Sequence, residues 1–251
     1  MYQVNLDLTK TTKQVFDECA PVYLREDKHW GCDLDIISEY VEKFKGPEII
    51  ELGTGYAWHL ANLYFLVSCN LKRVVGIDYS GKMLEMARVL LSSISYNGQP
   101  LIEKIELKKA DILSLPLPFD EESFDVAILL NNTLGNIPAE NFGKARQKRK
   151  EALTEIRRIL KNFGFLILSV YNADRLTEED KYGEVFELDH NLSNLETFDL
   201  VVRFKETGTP YYSHWFTKNE ICKLLYDVSF RVVEVEERKK RIVIVGQKKN
   251  K

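Results

Sequence analysis

Three acidic residues and two glycines have the types and spacing needed to bind a nucleoside that carries a positive charge. Glu51 precedes Gly53 and Gly55, and glycines let the main chain turn tightly and let a ligand approach it. Asp78 can accept hydrogen bonds from both hydroxyl groups of a ribose. Asp111 can accept a hydrogen bond from the exocyclic amine of adenine. Glu51 would attract a cationic group but would repel a phosphate.

A fourth polar segment, Asn131-Asn132-Thr133, follows another apolar run further along the chain. We expect the main-chain carbonyl group of Asn131 to contact the same ligand. Asn132 is a candidate for contact with a second substrate, because it would lie just below the reactive end of that ligand.

Each of these polar segments comes directly after a short strand-like run. Most of these runs are apolar on both faces, a pattern typical of buried parallel strands, whereas the run before Asp111 alternates and is expected closer to a sheet edge. Helical patterns separate the runs, and Ser80 is a suitable cap for one of them. The carboxyl ends of parallel strands meet at one edge of an open α/β sheet, where ligands bind. The predicted parallel strands are 47–53, 72–78, 104–110, 124–130 and 163–170, and further helices are predicted over 34–44, 57–67 and 139–160.

The last part of the chain departs from this alternation. Two strand-like segments, 195–204 and 210–216, have no helix between them and predict an antiparallel excursion. A helix over 218–227 precedes strands at 230–236 and 241–246, and the turn between these strands is too short for a parallel crossover. We therefore predict an α/β fold with a doubly wound, seven-stranded mixed sheet whose C-terminal strand is antiparallel.

Three stretches around these positions resemble class I S-adenosylmethionine-dependent methyltransferases: GIDYSGKMLEMAR, ADILSLPLPFDEESFDVAI and LTEIRRILKNFGFLILSV. The resemblance covers roughly residues 48–170 and the final strand. It implies a Rossmann-like methyltransferase fold, S-adenosyl-L-methionine as cofactor and S-adenosyl-L-homocysteine as product. The sequence departs from the family at the third glycine of the first loop, where Ala57 stands. The cofactor-binding candidates are Tyr23, Glu51, Gly53, Thr54, Gly55, Asp78, Tyr79, Met83, Asp111, Ile112 and Asn131.

The competing cofactor for such a sheet is NAD. A dinucleotide loop has the pattern Gly-x-Gly-x-x-Gly, so that a helix N-terminus meets the pyrophosphate. Here Gly53 and Gly55 are followed by Trp58 at the third glycine position. An indole there would oppose close packing of the helix on the sheet, so the sequence favours S-adenosylmethionine.

The predicted domain organisation is an N-terminal lid over residues 1–33 and one methyltransferase domain over residues 34–251, with a substrate-side insertion at about 171–216. The resemblance implies that the lid closes over the cofactor and that Tyr23 is its lid tyrosine. We expect the lid and the insertion to enclose the methyl acceptor. The substrate candidates are Trp30, Asn132, Tyr171, Tyr211 and His214, and His214 is also the candidate general base.

These features predict methyl transfer to a nitrogen or oxygen atom of a small molecule. Two alternatives stay open, namely an RNA or protein methyltransferase and a non-catalytic adenosyl-binding protein. Residues 131–134 lack the Asn/Asp-Pro-Pro-aromatic tetrad of enzymes that methylate exocyclic base nitrogens. This absence argues against methylation of exocyclic base nitrogens in RNA, but it leaves ribose and guanine ring nitrogens open as targets.

The composition narrows the partners and the compartment. The chain has 35 Lys and Arg residues against 38 Asp and Glu residues, a net charge of −3, so no overall positive field would gather a nucleic acid. The four cysteines form no CxxC pair, which argues against a metal or redox motif and fits a reducing compartment. No apolar run approaches the ~20 residues that span a bilayer. We expect a cytoplasmic protein without a bound metal or a membrane partner.

Overall fold

The computed structural model describes residues 7–25, 33–139, 141–176 and 186–250. Helices and strands alternate through the centre of the chain. In chain order they are α1 (Leu8–Glu18), α2 (Ala20–Arg25), α3 (Leu34–Val41), β1 (Glu48–Leu52), α4 (Trp58–Leu66), β2 (Arg73–Asp78), α5 (Gly81–Ser93), β3 (Ser95–Tyr96), β4 (Gln99–Pro100), β5 (Ile105–Lys109), β6 (Phe124–Leu129), α6 (Phe142–Ile159), β7 (Leu160–Tyr171), β8 (Phe186–Leu188), β9 (Asp199–Phe204), β10 (Pro210–His214), α7 (Lys218–Asp227), β11 (Phe230–Arg238) and β12 (Arg241–Lys248).

Seven strands form one mixed sheet in the order β11-β12-β7-β6-β1-β2-β5. Strands β1, β2, β5, β6 and β7 are parallel to their neighbours within this group. Strand β12 is antiparallel to both β7 and β11. The predicted doubly wound mixed sheet with an antiparallel C-terminal strand is therefore confirmed.

The central strands β1, β2, β6 and β7 are buried on both faces because helices cover both sides of the sheet. On one side Ile50 and Leu52 of β1 belong to a buried cluster with residues of α6 and α7. On the other side Ile49 belongs to a cluster with residues of α3 and α4. Burial on both faces is the environment that continuous apolar runs require, and it holds the carboxyl ends of the parallel strands at one edge.

Side-chain caps set the beginnings of two helices where the sequence predicts them. The hydroxyl oxygen of Ser80 accepts a hydrogen bond from the main-chain N–H of Met83 at the start of α5. The hydroxyl oxygen of Thr217 accepts one from the N–H of Glu220 at the start of α7. Each cap satisfies a donor that the first turn of a helix leaves unpaired.

The predicted antiparallel excursion forms a separate three-stranded sheet in the order β10-β9-β8. Along β10 and the residues that follow it, successive side chains point to opposite faces of this sheet. Tyr211 and Trp215 pack with residues of α1. Tyr212 packs with Phe142 at the start of α6, in a cluster that also includes Leu8, the first residue of α1. One face of the excursion is thus covered by α1, and the other faces α6 and the beginning of α1.

Helix α1 was not predicted from the sequence, although its residues explain it. The side chain of Asp7 accepts hydrogen bonds from the N–H groups of Thr9 and Lys10, which caps the helix. Val15 and Cys19 lie on its buried side. The hairpin of β3 and β4 was also not predicted. Within the described residues, no helix has the length and hydropathy needed to cross a membrane.

Candidate active site

The loop after β1 adopts a left-handed backbone conformation at three positions. Gly53, Gly55 and Ala57 have φ angles of 72°, 55° and 61°. The N–H groups of Gly53 and Thr54 both donate to the main-chain oxygen of Ile77, at 2.8 Å and 3.0 Å, which fastens the loop to the end of β2. Glycine adopts such angles without a steric penalty, so the third glycine of the family pattern is replaced here by an alanine in a disfavoured conformation.

The two glycines differ in the space beside them. A Cβ atom on Gly53 would lie 2.7 Å from the side chain of Thr133, so a larger residue there would force Thr133 to move. Among the residues that the structure describes, none would lie within 4 Å of a Cβ atom on Gly55. The main chain at Gly55 is therefore accessible on this side, as an adenosyl group that approaches the loop closely would require.

Asp78 lies at the end of β2 and faces this loop. Its carboxylate accepts hydrogen bonds from the N–H groups of Gly55 and Ser80, both at 2.9 Å. Burial raises the pKa of Asp78 to about 6, with smaller contributions from the nearby carboxylates of Glu51 and Asp17. A carboxylate with two oxygens can accept further hydrogen bonds, so Asp78 retains the capacity to bind two hydroxyl groups.

The raised pKa of Asp78 predicts a pH dependence of ligand binding. The ionised carboxylate accepts hydrogen bonds from ribose hydroxyls better than the protonated acid does. The affinity for S-adenosylhomocysteine should therefore fall about tenfold between about pH 7.5 and about pH 5, as the pH passes below about 6. Calorimetric titration across this range measures the effect.

The stability of the unliganded protein should respond to pH in the opposite direction. A carboxyl group whose pKa is raised on folding contributes stability at low pH, and this contribution is lost as the pH rises through about 6. An Asp78→Asn variant is the control for both measurements, because it cannot titrate. The same tenfold pH effect in that variant would contradict the assignment to Asp78.

The end of β5 brings Asp111 to the same edge of the sheet. One carboxylate oxygen, Oδ1, accepts a hydrogen bond from the N–H of Leu113 at 2.9 Å. The other, Oδ2, forms a close ion pair with Nζ of Lys13 from α1. Tyr79 donates its hydroxyl group to the main-chain oxygen of Thr12 at 3.2 Å. The predicted adenine edge is thus in contact with the N-terminal helix.

The predicted apolar residues of this edge are partly or fully buried. Met83 is buried in the first turn of α5. Ile112 is half-buried and packs against the core cluster on the α6 and α7 side of the sheet. Both positions are compatible with the wall of an adenine pocket, and both residues also contribute to the core.

Glu51 forms contacts within the protein. Its carboxylate accepts a hydrogen bond from the hydroxyl group of Thr54 at 2.6 Å, and Nδ1 of His59 lies 3.0 Å from its other oxygen. Glu51 is only 1% exposed. The role of Glu51 in attracting a cationic group stays a prediction. His59, which contacts Glu51, was not a candidate from the sequence.

Asn131 follows β6 in a left-handed conformation, with a φ angle of 51°. Its N–H donates to the hydroxyl oxygen of Ser169 at 3.0 Å, and its side-chain oxygen accepts a hydrogen bond from Arg241 at 3.2 Å. Arg241 also pairs with the buried carboxylate of Asp33 at 3.1 Å. Asn131 is therefore fastened from both sides, which orients its main-chain carbonyl group.

Asn132 is completely buried, and its amide group is used within the protein. Nδ2 donates to Oγ of Ser213 and to the main-chain oxygen of His214, both at 3.1 Å. Oδ1 accepts a hydrogen bond from the N–H of Tyr171 at 3.1 Å. These contacts favour a structural role for Asn132, which joins the end of β6 to β10, over the predicted contact with substrate.

Aromatic side chains form a wall between α1 and the excursion. Tyr171 and Trp215 have ring centroids 5.0 Å apart, and Phe16 of α1 contacts Tyr211 edge to face at 5.7 Å. Burial raises the pKa of Tyr171, so its hydroxyl group stays protonated at neutral pH. Two of the predicted substrate residues, Tyr171 and Tyr211, belong to this aromatic wall.

His214 is on the opposite face of the excursion and is 3% exposed. Its Nδ1 lies 2.9 Å from a carboxylate oxygen of Asp199, and its Nε2 lies 3.0 Å from one of Glu220. Burial would raise the pKa of Asp199, but hydrogen bonds from His214 and Tyr212 outweigh it and hold that pKa below its ordinary value. With both ring nitrogens engaged, the geometry favours a structural role for His214 over the predicted role as a base.

Two predicted residues are not placed by this structure. Trp30 lies outside the described residues. The main chain of Tyr23 is part of α2, and its side chain lies outside the described part. Within the described residues, no group of three or more His, Cys, Asp or Glu side chains is arranged to hold a metal ion.

Three contributors to the site were missed by the sequence analysis, namely Lys13, His59 and Arg241. No local motif marks them, because each reaches the site from a different element. Asp7 and the apolar residues Val15 and Cys19 could have indicated α1, and with it Lys13. Nothing in the sequence indicates that Arg241 meets Asn131.

Comparison with known proteins connects this geometry to a family. Residues 50–168 match the family described as Methyltransferase domain. An uncharacterized protein from Methanocaldococcus jannaschii, MJ0638, is 34% identical over 102 residues. That match spans 40% of this chain and 40% of the relative's own length.

Solved structures share the fold across most of the chain. A SAM-dependent methyltransferase from Methanosarcina mazei has a TM-score of 0.64 and 24% identity, covering 86% of this chain and 98% of its own. The 1,6-didemethyltoxoflavin-N1-methyltransferase of Burkholderia thailandensis has a TM-score of 0.59 and 13% identity, covering 96% of this chain and 88% of its own. The latter structure contains bound 1,6-didemethyltoxoflavin and S-adenosylhomocysteine. At these identities the similarity shows a common fold.

Proposed function

We propose that the protein is a class I S-adenosylmethionine-dependent methyltransferase that methylates a nitrogen or oxygen atom of a small molecule. The proposal starts from the match of residues 50–168 to a methyltransferase domain family and from the fold shared with solved methyltransferases. The proposed acceptor lies beside the cluster in which α1 packs on the excursion, next to the carboxyl ends of β6 and β7. The N-terminal lid over residues 1–33 and the substrate-side insertion at about 171–216 belong to this proposal.

The aromatic wall is the observation that supports a small molecule as the methyl acceptor. Phe16, Tyr171, Tyr211 and Trp215 belong to one apolar cluster that joins α1 to the excursion. A cluster of this composition suits a compact, planar or apolar acceptor that binds against it, because binding sites for small molecules are lined mostly by apolar and aromatic side chains. A polymer acceptor would require an open groove with basic side chains.

The residues of the site would bind, orient and shield the reactants. When bound, S-adenosylmethionine supplies a methyl group that is already activated by the positive sulfur atom. Asp78 and Asp111 would hold the ribose and the adenine, and the main-chain carbonyl group of Asn131 would contact the amino-acid end. The aromatic wall would exclude water and hold the acceptor in line. Positioning of this kind contributes up to about 7–11 kcal/mol in well-oriented model systems.

Transfer of a labelled methyl group tests the proposal. The full chain is incubated with S-adenosylmethionine labelled in its methyl group and with a cell extract divided into small molecules, RNA and protein. We expect label in the small-molecule fraction, and an Asp78→Ala variant at the same concentration should transfer far less. Label in RNA or protein would support the alternative acceptors, and label in none of the fractions would support a non-catalytic adenosyl-binding protein.

A further inference from the structure

A lysine of the N-terminal helix lies between the two residues that we expect to hold the adenine ring. The Nζ atom of Lys13 lies 6.0 Å from the ring centroid of Tyr79. The same atom forms a close ion pair with Oδ2 of Asp111. The ring face of Tyr79 and the carboxylate of Asp111 are the two surfaces that an adenine would use at this edge. The ammonium group of Lys13 meets both of them.

The main chain of α1 holds Lys13 in this position. On the cofactor side, Tyr79 donates its hydroxyl group to the main-chain oxygen of Thr12 at 3.2 Å. On the excursion side, the main-chain N–H of Tyr212 donates to Oγ1 of Thr12 at 3.0 Å. Because the residue next to Lys13 is anchored on two sides, the lysine side chain is directed at Asp111 by the fold itself.

An ammonium group and an adenine amine would compete for one oxygen of Asp111. Oδ1 accepts the N–H of Leu113 and Oδ2 pairs with Lys13, so an amine that donates to Oδ2 would enter the space beside the Lys13 ammonium group. The side chain of Asp111 is 15% exposed and that of Lys13 is 44% exposed, so the lysine can leave toward solvent whereas the aspartate stays in the site.

We propose that Lys13 is an internal competitor of the cofactor, whose side chain adenine must displace from Asp111 and Tyr79 in order to bind. This inference rests on the proposed function, since it takes the ligand of this edge to be an adenosyl group. Helix α1 also contributes Val15 and Phe16 to the cluster that contains the aromatic wall. Displacement of Lys13 would therefore release one contact of the helix that lines the acceptor side.

Removal of the charge should strengthen binding of the cofactor product. We expect the Lys13→Met variant to bind S-adenosylhomocysteine about three- to tenfold more tightly than the wild-type protein in calorimetric titration at low salt, because a partly shielded charge pair no longer opposes binding. Lys10→Met is the matched control, since Lys10 is an exposed lysine of the same helix, and it should leave the affinity unchanged. Lys13→Arg keeps the charge and should stay within about twofold of the wild type.

A second probe separates adenine from the rest of the cofactor. Methylthioadenosine carries adenine and ribose without the amino-acid end, so the gain in the Lys13→Met variant should persist with it. High salt screens the ion pair and should narrow the difference between the two proteins. Equal or weaker binding by Lys13→Met would overturn the proposal. Absence of binding by the wild type and all variants would contradict the proposed function itself.

Discussion

Replacement of Asp78 by alanine should weaken the binding of S-adenosylhomocysteine by about ten- to a hundredfold, because hydrogen bonds to a charged group contribute about 1.5–3 kcal/mol. The variant loses the acceptor for the ribose hydroxyls. It also loses the contacts that hold the N–H groups of Gly55 and Ser80 at 2.9 Å. Calorimetric titration of the purified full chain measures the loss.

Two controls separate the loss of the ribose acceptor from a general loss of structure. The thermal unfolding temperature of Asp78→Ala shows whether the fold survives. Asp120 is an exposed aspartate in the loop before β6, and Asp120→Ala should bind as the wild type does. If Asp78→Ala is folded and binds as tightly as the wild type, then the ribose lies elsewhere and the assignment of the site is wrong.

Replacement of His214 by alanine should lower the free energy of unfolding by at least about 1–3 kcal/mol, the usual cost of leaving a buried polar group without one of its hydrogen-bond partners. Asp199 is 6% exposed, and it would lose the imidazole that lies 2.9 Å from its carboxylate. Tyr212 also donates to Asp199 and in turn accepts a hydrogen bond from Arg149 at 2.9 Å. The loss therefore affects a connected buried network. Urea unfolding measures the change.

The same variant distinguishes the two roles considered for His214. A structural residue lowers stability but leaves kcat nearly unchanged in the fraction that remains folded, whereas loss of a general base lowers kcat by about a hundredfold or more. Glu220→Gln is the matched control, because Glu220 contacts the same imidazole but its side chain is 29% exposed. We expect it to cost about 1 kcal/mol of stability, the usual worth of one hydrogen bond. A stable His214→Ala protein with a large loss of kcat would instead support the role of His214 as a general base.

Strand β10 shows why side-chain roles are harder to predict than strands. The sequence places Tyr211 and His214 in one aromatic stretch and treats both as substrate candidates. A strand turns successive side chains to opposite faces. Tyr211 therefore packs with Phe16 of α1, whereas His214 faces Asp199 and Glu220. The face of β10 that would contact the methyl acceptor depends on where α1 packs, and the residues of β10 do not determine the position of α1.

The sequence by itself determined the central sheet, the succession of its strands along the chain, the antiparallel C-terminal hairpin and the positions of Gly53, Gly55, Asp78 and Asp111 at the ends of those strands. These features follow from short-range patterns, since apolar runs, caps and turn lengths act over a few residues. Only the tertiary structure decided that Lys13 pairs with Asp111, that His59 contacts Glu51 and that Arg241 holds Asn131. The Lys13 and Arg241 contacts join residues about a hundred positions apart, and even His59 reaches Glu51 only because the glycine loop folds back on itself. Packing of whole elements brings such partners together, and local sequence carries no signal for it.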